Sequence, residues 1–255
     1  MKRLLILALV VLPLVAQQTP PPPAAPRETK VPQPVEKTLA NGLRVIVVPK
    51  PGLPLVAARL MIKTGAAADP KGRDGLAQLT ATMLTKGTKT RTAEELARGV
   101  EALGATLTAE AAWDSTSIDV SVMSSNLAKT LEYVADVARN ATFKSAELDR
   151  ERARILDSLQ VTLEEPDSVA AIVASRLVFG NSPYAHNLAG LPSTLKTITR
   201  NDLVKFHRWY YLPNNAVLVF AGDVTAEDAF ALAQKLFGGW TRGAAGFSPP
   251  KEDGG

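Results

Sequence analysis

Gly75-Leu-Ala-Gln-Leu-Thr-Ala-Thr-Met-Leu-Thr-Lys-Gly87 is the stretch around which the chain is organised. Leu76, Leu79 and Met83 fall at i, i+3 and i+7, the spacing of one helical face, which predicts an amphipathic helix. Asp74 is the expected N-cap and Gly87 the expected stop. Gln78, Ala81 and Thr82 share a second face of that helix.

Strand signals dominate before it. Asn41-Gly42 marks a turn ahead of the β-rich run 43–48. After a second turn at Pro51-Gly52, residues 56–63 alternate with Val56, Ala58, Leu60 and Ile62 on one face. These two runs are expected to pair in one sheet. Beyond the central helix, Thr92 and Glu95 form a capping-box pattern, and Leu96, Val100 and Leu103 a helical stripe closed by Gly104. Residues 105–111 and 115–122 read as two strands joined by a turn near Trp113-Asp114, with Ile118, Val120 and Val122 on one face of the second.

Helices then alternate with one more strand. Leu127, Leu131, Val134 and Ala138 make a helix starting near Ser125. Ser145 is the expected cap of a longer one through Leu148, Ile155 and Leu159, ending before Pro166. Val169, Val173 and Leu177 form a third, ending near Gly180. Thr199 and Asp202 open a helix through Leu203, Phe206 and Tyr210, and Thr225 caps another through Ala229, Leu232 and Leu236. Between those two lies a strand-like apolar run bounded by turn signals.

Composition bounds the function classes. At 255 residues with 46% hydrophobic and 21% charged residues, the chain is built to bury a sizeable core. Met1-Lys-Arg followed by the apolar run 4–15 predicts a signal peptide over residues 1–16, too short and too broken by Pro13 to be a comfortable membrane span. Residues 17–34, with Pro20 to Pro23 in succession, read as an extended linker, and residues 35–241 as the folded domain. No cysteine is present, which excludes a lipoprotein anchor, disulfides and thiolate metal sites and leaves a periplasmic or secreted form without stable membrane insertion. Once Lys2 and Arg3 leave the 29 basic residues, the balance against 25 acidic ones is about +2. With only 5% aromatic residues, nucleic acid is not an expected partner.

Several stretches resemble one family. The opening stretch, with Lys86-Gly87-Thr88 after it, resembles the M16 (insulinase or pitrilysin, processing-peptidase-like) metallopeptidases, where a Gly-Leu-Ala-His-Phe-Leu-Glu-His-Met-Leu-Phe-Lys-Gly-Thr run carries the inverted zinc motif His-x-x-Glu-His. Residues 147–159 resemble the family's Glu-Leu-Glu-Arg-Glu-Arg helix, 182–192 its Pro-Tyr segment, and 211–223 its Tyr-x-Pro-Asn-Asn strand. The resemblance spans about residues 39–240 and implies an α+β fold of the M16 type, an antiparallel-rich sheet packed by helices on one side. It also implies that a second such domain follows in family members, residues 242–255 being the start of an interdomain linker or a C-terminal tail. No second copy of the hairpin-helix pattern occurs within this sequence.

Carried over residue by residue, the resemblance leaves the zinc chemistry empty. The first metal-ligand position falls on Gln78, the general base on Ala81, the second ligand on Thr82 and the third on Ser158. Zinc needs about three imidazole, carboxylate or thiolate ligands and one open position, so no cofactor is expected. His186 and His207 belong to no ligand-spaced pair and read as structural. There is also no nucleophile elbow and no phosphate-binding loop. Leu107, Thr108 and Ala109 lie where the family has an exposed edge strand that receives peptide, with Thr108 in place of an asparagine; an ordinary hairpin is the alternative. The expected function is therefore a non-catalytic subunit whose partners are a zinc-bearing M16 homologue and a peptide substrate. The alternative is a scaffold or peptide-binding module with no peptidase partner, and an active zinc endopeptidase comes last.

Overall fold

The computed structural model describes residues 32–243. The expected signal peptide, the linker up to residue 31 and residues 244–255 lie outside them. The described strands are β1 (Val35–Thr38), β2 (Arg44–Pro49), β3 (Leu55–Ile62), β4 (Thr106–Ala111), β5 (Thr116–Met123) and β6 (Ala216–Gly222). They form one sheet in the order β1-β2-β6-β3-β5-β4. Every neighbouring pair is antiparallel except β2 with β6. The described helices are α1 (Leu76–Leu84), α2 (Ala93–Glu101), α3 (Leu127–Asn140), α4 (Ser145–Glu164), α5 (Pro166–Phe179), α6 (Pro192–Leu195), α7 (Arg200–Tyr210) and α8 (Ala226–Phe237).

Side-chain alternation decides which face of the sheet is covered. Val56, Ala58, Leu60 and Ile62 of β3 and Ile118, Val120 and Val122 of β5 are buried, whereas Leu55, Ala57 and Arg59 face solvent. Helices α1, α3 and α8 pack against the sheet. The fold is thus α+β, an antiparallel-rich sheet with helices on its apolar face.

The expectation that the runs 43–48 and 56–63 pair with each other is corrected. They share the sheet, but β6 lies between them, parallel to β2 and antiparallel to β3. β6 reads Ala-Val-Leu-Val-Phe-Ala-Gly and buries Ala216, Leu218 and Phe220 on the covered face of the sheet. Gly222 lets it end there: its φ is +127°, and a Cβ at this position would stand 2.2 Å from the Leu55 carbonyl oxygen.

Helix starts follow the predicted capping in three cases. Thr92 and Glu95 make a reciprocal capping box on α2, Thr199 and Asp202 another on α7, and the Thr225 side chain accepts from the Asp228 N–H on α8. Two expected caps are corrected. Ser145 is the first helical residue of α4 rather than its cap, and the cap position, Lys144, makes no side-chain hydrogen bond. The cap position of α1 is Gly75, not Asp74.

Helix α1 is more deeply placed than its periodicity predicts. All its residues are buried except Gln78 and Thr82, because it is enclosed by β4, α4 and α7 as well as lying on the sheet side of the core. The periodicity predicts an amphipathic helix; the structure shows a central helix with two uncovered side chains one turn apart.

Candidate functional site

The start of α1 is held by groups that are distant in sequence. Asp69, whose side chain is wholly buried, accepts the Gly75 N–H through Oδ2 and the Ala77 N–H through Oδ1, both at 2.8 Å. A carboxylate there satisfies two of the orphan donors of the helix and meets its positive end. Gly75 has φ +93°, and a Cβ at Gly190 would approach the Asp74 carbonyl oxygen to 2.4 Å, so α1 and the 182–190 loop meet backbone to backbone.

His186, from that loop, brings Nε2 to 3.6 Å from Asp69 Oδ2, an ion-pair distance rather than a hydrogen bond. Burial opposes protonation of the ring, but the adjacent Asp69 carboxylate outweighs it and the histidine pKa is raised. Burial raises the Asp69 pKa, and the adjacent His186 ring and the hydrogen bonds from the two backbone N–H groups offset this only in part. Trp113 packs edge-on against both His186 and Tyr184, and the Tyr184 hydroxyl donates to Asp114 Oδ1 at 2.7 Å. His207 lies elsewhere, its ring against Phe143 and Tyr211 and its Nε2 2.8 Å from the Ala138 carbonyl oxygen.

Gln78 and Thr82 point from the one open stripe of α1. The Gln78 carboxamide oxygen accepts the N–H of Ala111, at the end of edge strand β4, at 2.9 Å. The Thr82 hydroxyl donates to the Gln78 carbonyl one turn back at 3.0 Å. Ala81 is buried in the core. Ser158 is exposed on α4, and the hydroxyl of Thr162 bonds to its carbonyl.

Between α1 and α4 a partly buried ion pair remains. Lys86 Nζ meets Glu151 Oε1 at 2.7 Å, and Arg154 Nε donates to Glu151 Oε2 at 2.9 Å. Burial raises the Glu151 pKa, but these two cations more than offset it and the net shift is downward. Helices α1 and α4 are therefore tied together, while Gln78, Thr82 and Ser158 on them do not suit zinc. A carboxamide bound to a backbone N–H, a hydroxyl bound to a backbone carbonyl and an exposed serine are neutral oxygen groups, not the imidazole and carboxylate donors zinc takes. Among the described residues no group of three or more His, Asp or Glu stands where it could hold a metal ion.

Beside this face runs the sheet edge. Among the described residues β4 pairs only with β5, through Leu107↔Val120, Thr108↔Asp119 and Ala109↔Ile118. Because Ala112 N–H bonds to the Ser115 carbonyl, the alternation of an antiparallel ladder turns the polar backbone groups of Leu107, Ala109 and Ala111 away from β5. The Ala111 N–H is taken by Gln78. Leu107 and Ala109 thus present an open edge, and the Thr108 side chain lies on the exposed face of the sheet.

The structure brings Gln78, Thr82 and the β4 edge together and leaves Ser158 exposed on the neighbouring helix. Sequence reading missed Asp69 and Glu151. Asp69 caps from outside the helix it serves, and the Lys86–Glu151 pair joins residues far apart in the chain, so neither follows a local pattern. A buried carboxylate needs a partner, yet nothing in the sequence marks which of the acidic residues are buried.

Residues 44–190 match the family model described as insulinase (peptidase family M16), and residues 197–254 the one described as the peptidase M16 inactive domain. An uncharacterized zinc protease of Rickettsia bellii is 31% identical over 218 residues, which cover 85% of this chain and 53% of that protein. The crystal structure of a protease from Helicobacter pylori is similar with a TM-score of 0.81 at 26% identity, covering 86% of this chain and 53% of that one. That of a peptidase M16 inactive domain from Pseudomonas fluorescens gives 0.78 at 27% identity, covering 83% and 52%. The chain spans about half the length of these relatives.

Proposed function

The chain belongs to the insulinase (M16) peptidase family, and from that membership we propose that it is a non-catalytic M16 subunit, working with a zinc-bearing homologue in peptide or protein processing outside the cytoplasm. The observation that carries this reading is the engagement of Gln78. At the first family ligand position stands a neutral carboxamide whose oxygen is held by the Ala111 N–H, with an apolar Ala81 where a general base would be needed.

The same arrangement supports a role in holding peptide. An extended segment adds to an open sheet edge through main-chain hydrogen bonds, and the outward backbone groups of Leu107 and Ala109 offer one next to α1. The Gln78 bond holds the end of that edge against the helix. In this proposal the subunit supplies a binding edge and the homologue supplies the metal. The apolar leader at residues 4–15 supports export to the periplasm or beyond.

Zinc content by elemental analysis, with peptide cleavage on the same samples, tests the proposal. The expected result is no stoichiometric zinc and no cleavage for the chain alone, and cleavage above the homologue's own level when the two are mixed. Stoichiometric zinc together with cleavage by the isolated chain overturns it.

A further inference from the structure

Four cationic side chains border one small cleft, and no carboxylate lines it. Lys89, Arg139, Arg200 and Arg208 surround a space of about 290 Å³ beside Phe143 and Val204. The whole sequence carries a net charge of only +4, so this is a local concentration of charge and not the average character of the surface. None of the four forms an ion pair among the described residues. Asp136, three positions before Arg139 on α3, does not neutralise them. It is buried, and its carboxylate is already held by Arg91, Thr88, Thr90 and Asn140.

Two of the cations are fixed in orientation. Phe143, which is 2% exposed, has φ +51°, a left-handed backbone that a bulky residue keeps only where its surroundings hold it. Two successive carbonyls of this turn meet one guanidinium: Arg200 Nε donates to the Phe143 oxygen at 2.9 Å and Nη2 to the Thr142 oxygen at 3.0 Å. Arg139 is held in a similar way, donating through Nη1 to the Leu236 carbonyl at 2.9 Å and through Nη2 to that of Gly239 at 3.4 Å. Neutral carbonyls orient a guanidinium without cancelling its charge, and each fork keeps further N–H donors beyond these bonds. Lys89 and Arg208 are exposed at the border.

Positioned donors and several positive charges without a counter-charge suit an oxyanion that carries more than one negative charge. Forked guanidinium groups match the oxygens of phosphate, and the cleft lies at the small end of ligand pockets. We propose that this cleft, between α3, α7 and the 140–144 connection, binds a phosphate dianion, free or as the end of a small monoester. It shares no residue with the α1 and β4 face, so the proposal is independent of the zinc question.

Isothermal titration calorimetry of the full chain with sodium phosphate, glycerol phosphate and sodium acetate at one ionic strength tests this, with amide NMR on the same samples. Phosphate is expected to saturate one site and to bind at least about tenfold tighter than acetate, with the amide shifts concentrated at residues 89, 139–143, 200 and 208. Lys89→Ala and Arg208→Ala are each expected to weaken binding about fivefold, the equivalent of one exposed ion pair. Arg200→Lys keeps the charge but loses the fork, and is expected to weaken it about tenfold. Circular dichroism confirms that each variant is folded. Glycerol phosphate binding tighter than phosphate identifies a monoester as the source, and the reverse order identifies free phosphate. Phosphate binding no tighter than acetate, shifts that never saturate or that scatter over other surface cations, or wild-type affinity in Lys89→Ala and Arg208→Ala overturns the proposal.

Discussion

Gln78, which the sequence resemblance aligns with a metal ligand, is engaged by the backbone of a neighbouring strand. Its side chain is half-buried, and its oxygen is the partner of a backbone N–H at the end of an edge strand. Removing one member of such a bond leaves the other under-satisfied, which typically costs 1–3 kcal/mol when the group is buried and less when water can reach it. Gln78→Ala is therefore expected to lower stability by about 1 kcal/mol and to speed hydrogen exchange at Ala111, while Gln78→Glu, which keeps an acceptor oxygen, perturbs that amide less. Urea denaturation and exchange measured by NMR check both. An unchanged Ala111 exchange rate in Gln78→Ala would mean that the bond does not order the edge.

Among the elements, α1 and α4 carry the three residues that the family resemblance aligns with metal ligands. Gln78 and Thr82 are the uncovered residues of α1, one turn apart, and α4 is tied to the end of α1 by Lys86 and Glu151. A helix that offers two side chains at i and i+4 on one open face needs no backbone change to accept histidines there. The triple variant Gln78→His, Thr82→His, Ser158→Glu is expected to bind zinc stoichiometrically by equilibrium dialysis, and Glu151→Gln added to it to weaken that binding by loosening α4 against α1. Absence of zinc in the triple variant would show that α4 does not present residue 158 to the open face of α1. The caps divide along the same line. Those of α2, α7 and α8 lie within their own segments and are legible as Ser/Thr patterns, whereas α1 depends on Asp69 and on two glycines that meet across a loop.

The stability of the whole molecule depends on pH through histidines whose shifts oppose each other. Burial presses the His207 pKa from 6.5 down to about 4, a shift the Ala138 carbonyl offsets only partly. Between those values the unfolded chain binds more protons than the folded one, so stability rises with pH across the window and is lost as pH falls through it. The full shift corresponds to about 3 kcal/mol. His186 acts in the other direction: its pKa is raised, so its contribution is present below the unfolded value of about 6.5 and fades as pH rises through the folded value. Chemical denaturation between pH 4 and 7 is expected to show the wild-type chain weakening towards acid and a His207→Phe variant weakening less. Equal slopes for the two proteins would exclude His207 as the source.

What the sequence determined by itself is everything carried by short-range order. Periods of two and of 3.6 residues placed the strands and helices, and Thr-x-x-Glu and Thr-x-x-Asp placed the caps of α2, α7 and α8. These are contacts between near neighbours, and the chain spells them out in order. Tertiary structure alone decided that β6 enters between β2 and β3, that Asp69 rather than Asp74 holds the start of α1, that Gln78 reaches Ala111, and that none of the described residues buries α5. The physical reason is common to all four. Each depends on which surfaces meet after the chain has folded back on itself, and a five-residue connection such as 50–54 reads the same whether it joins neighbouring strands or spans a gap that a later strand fills.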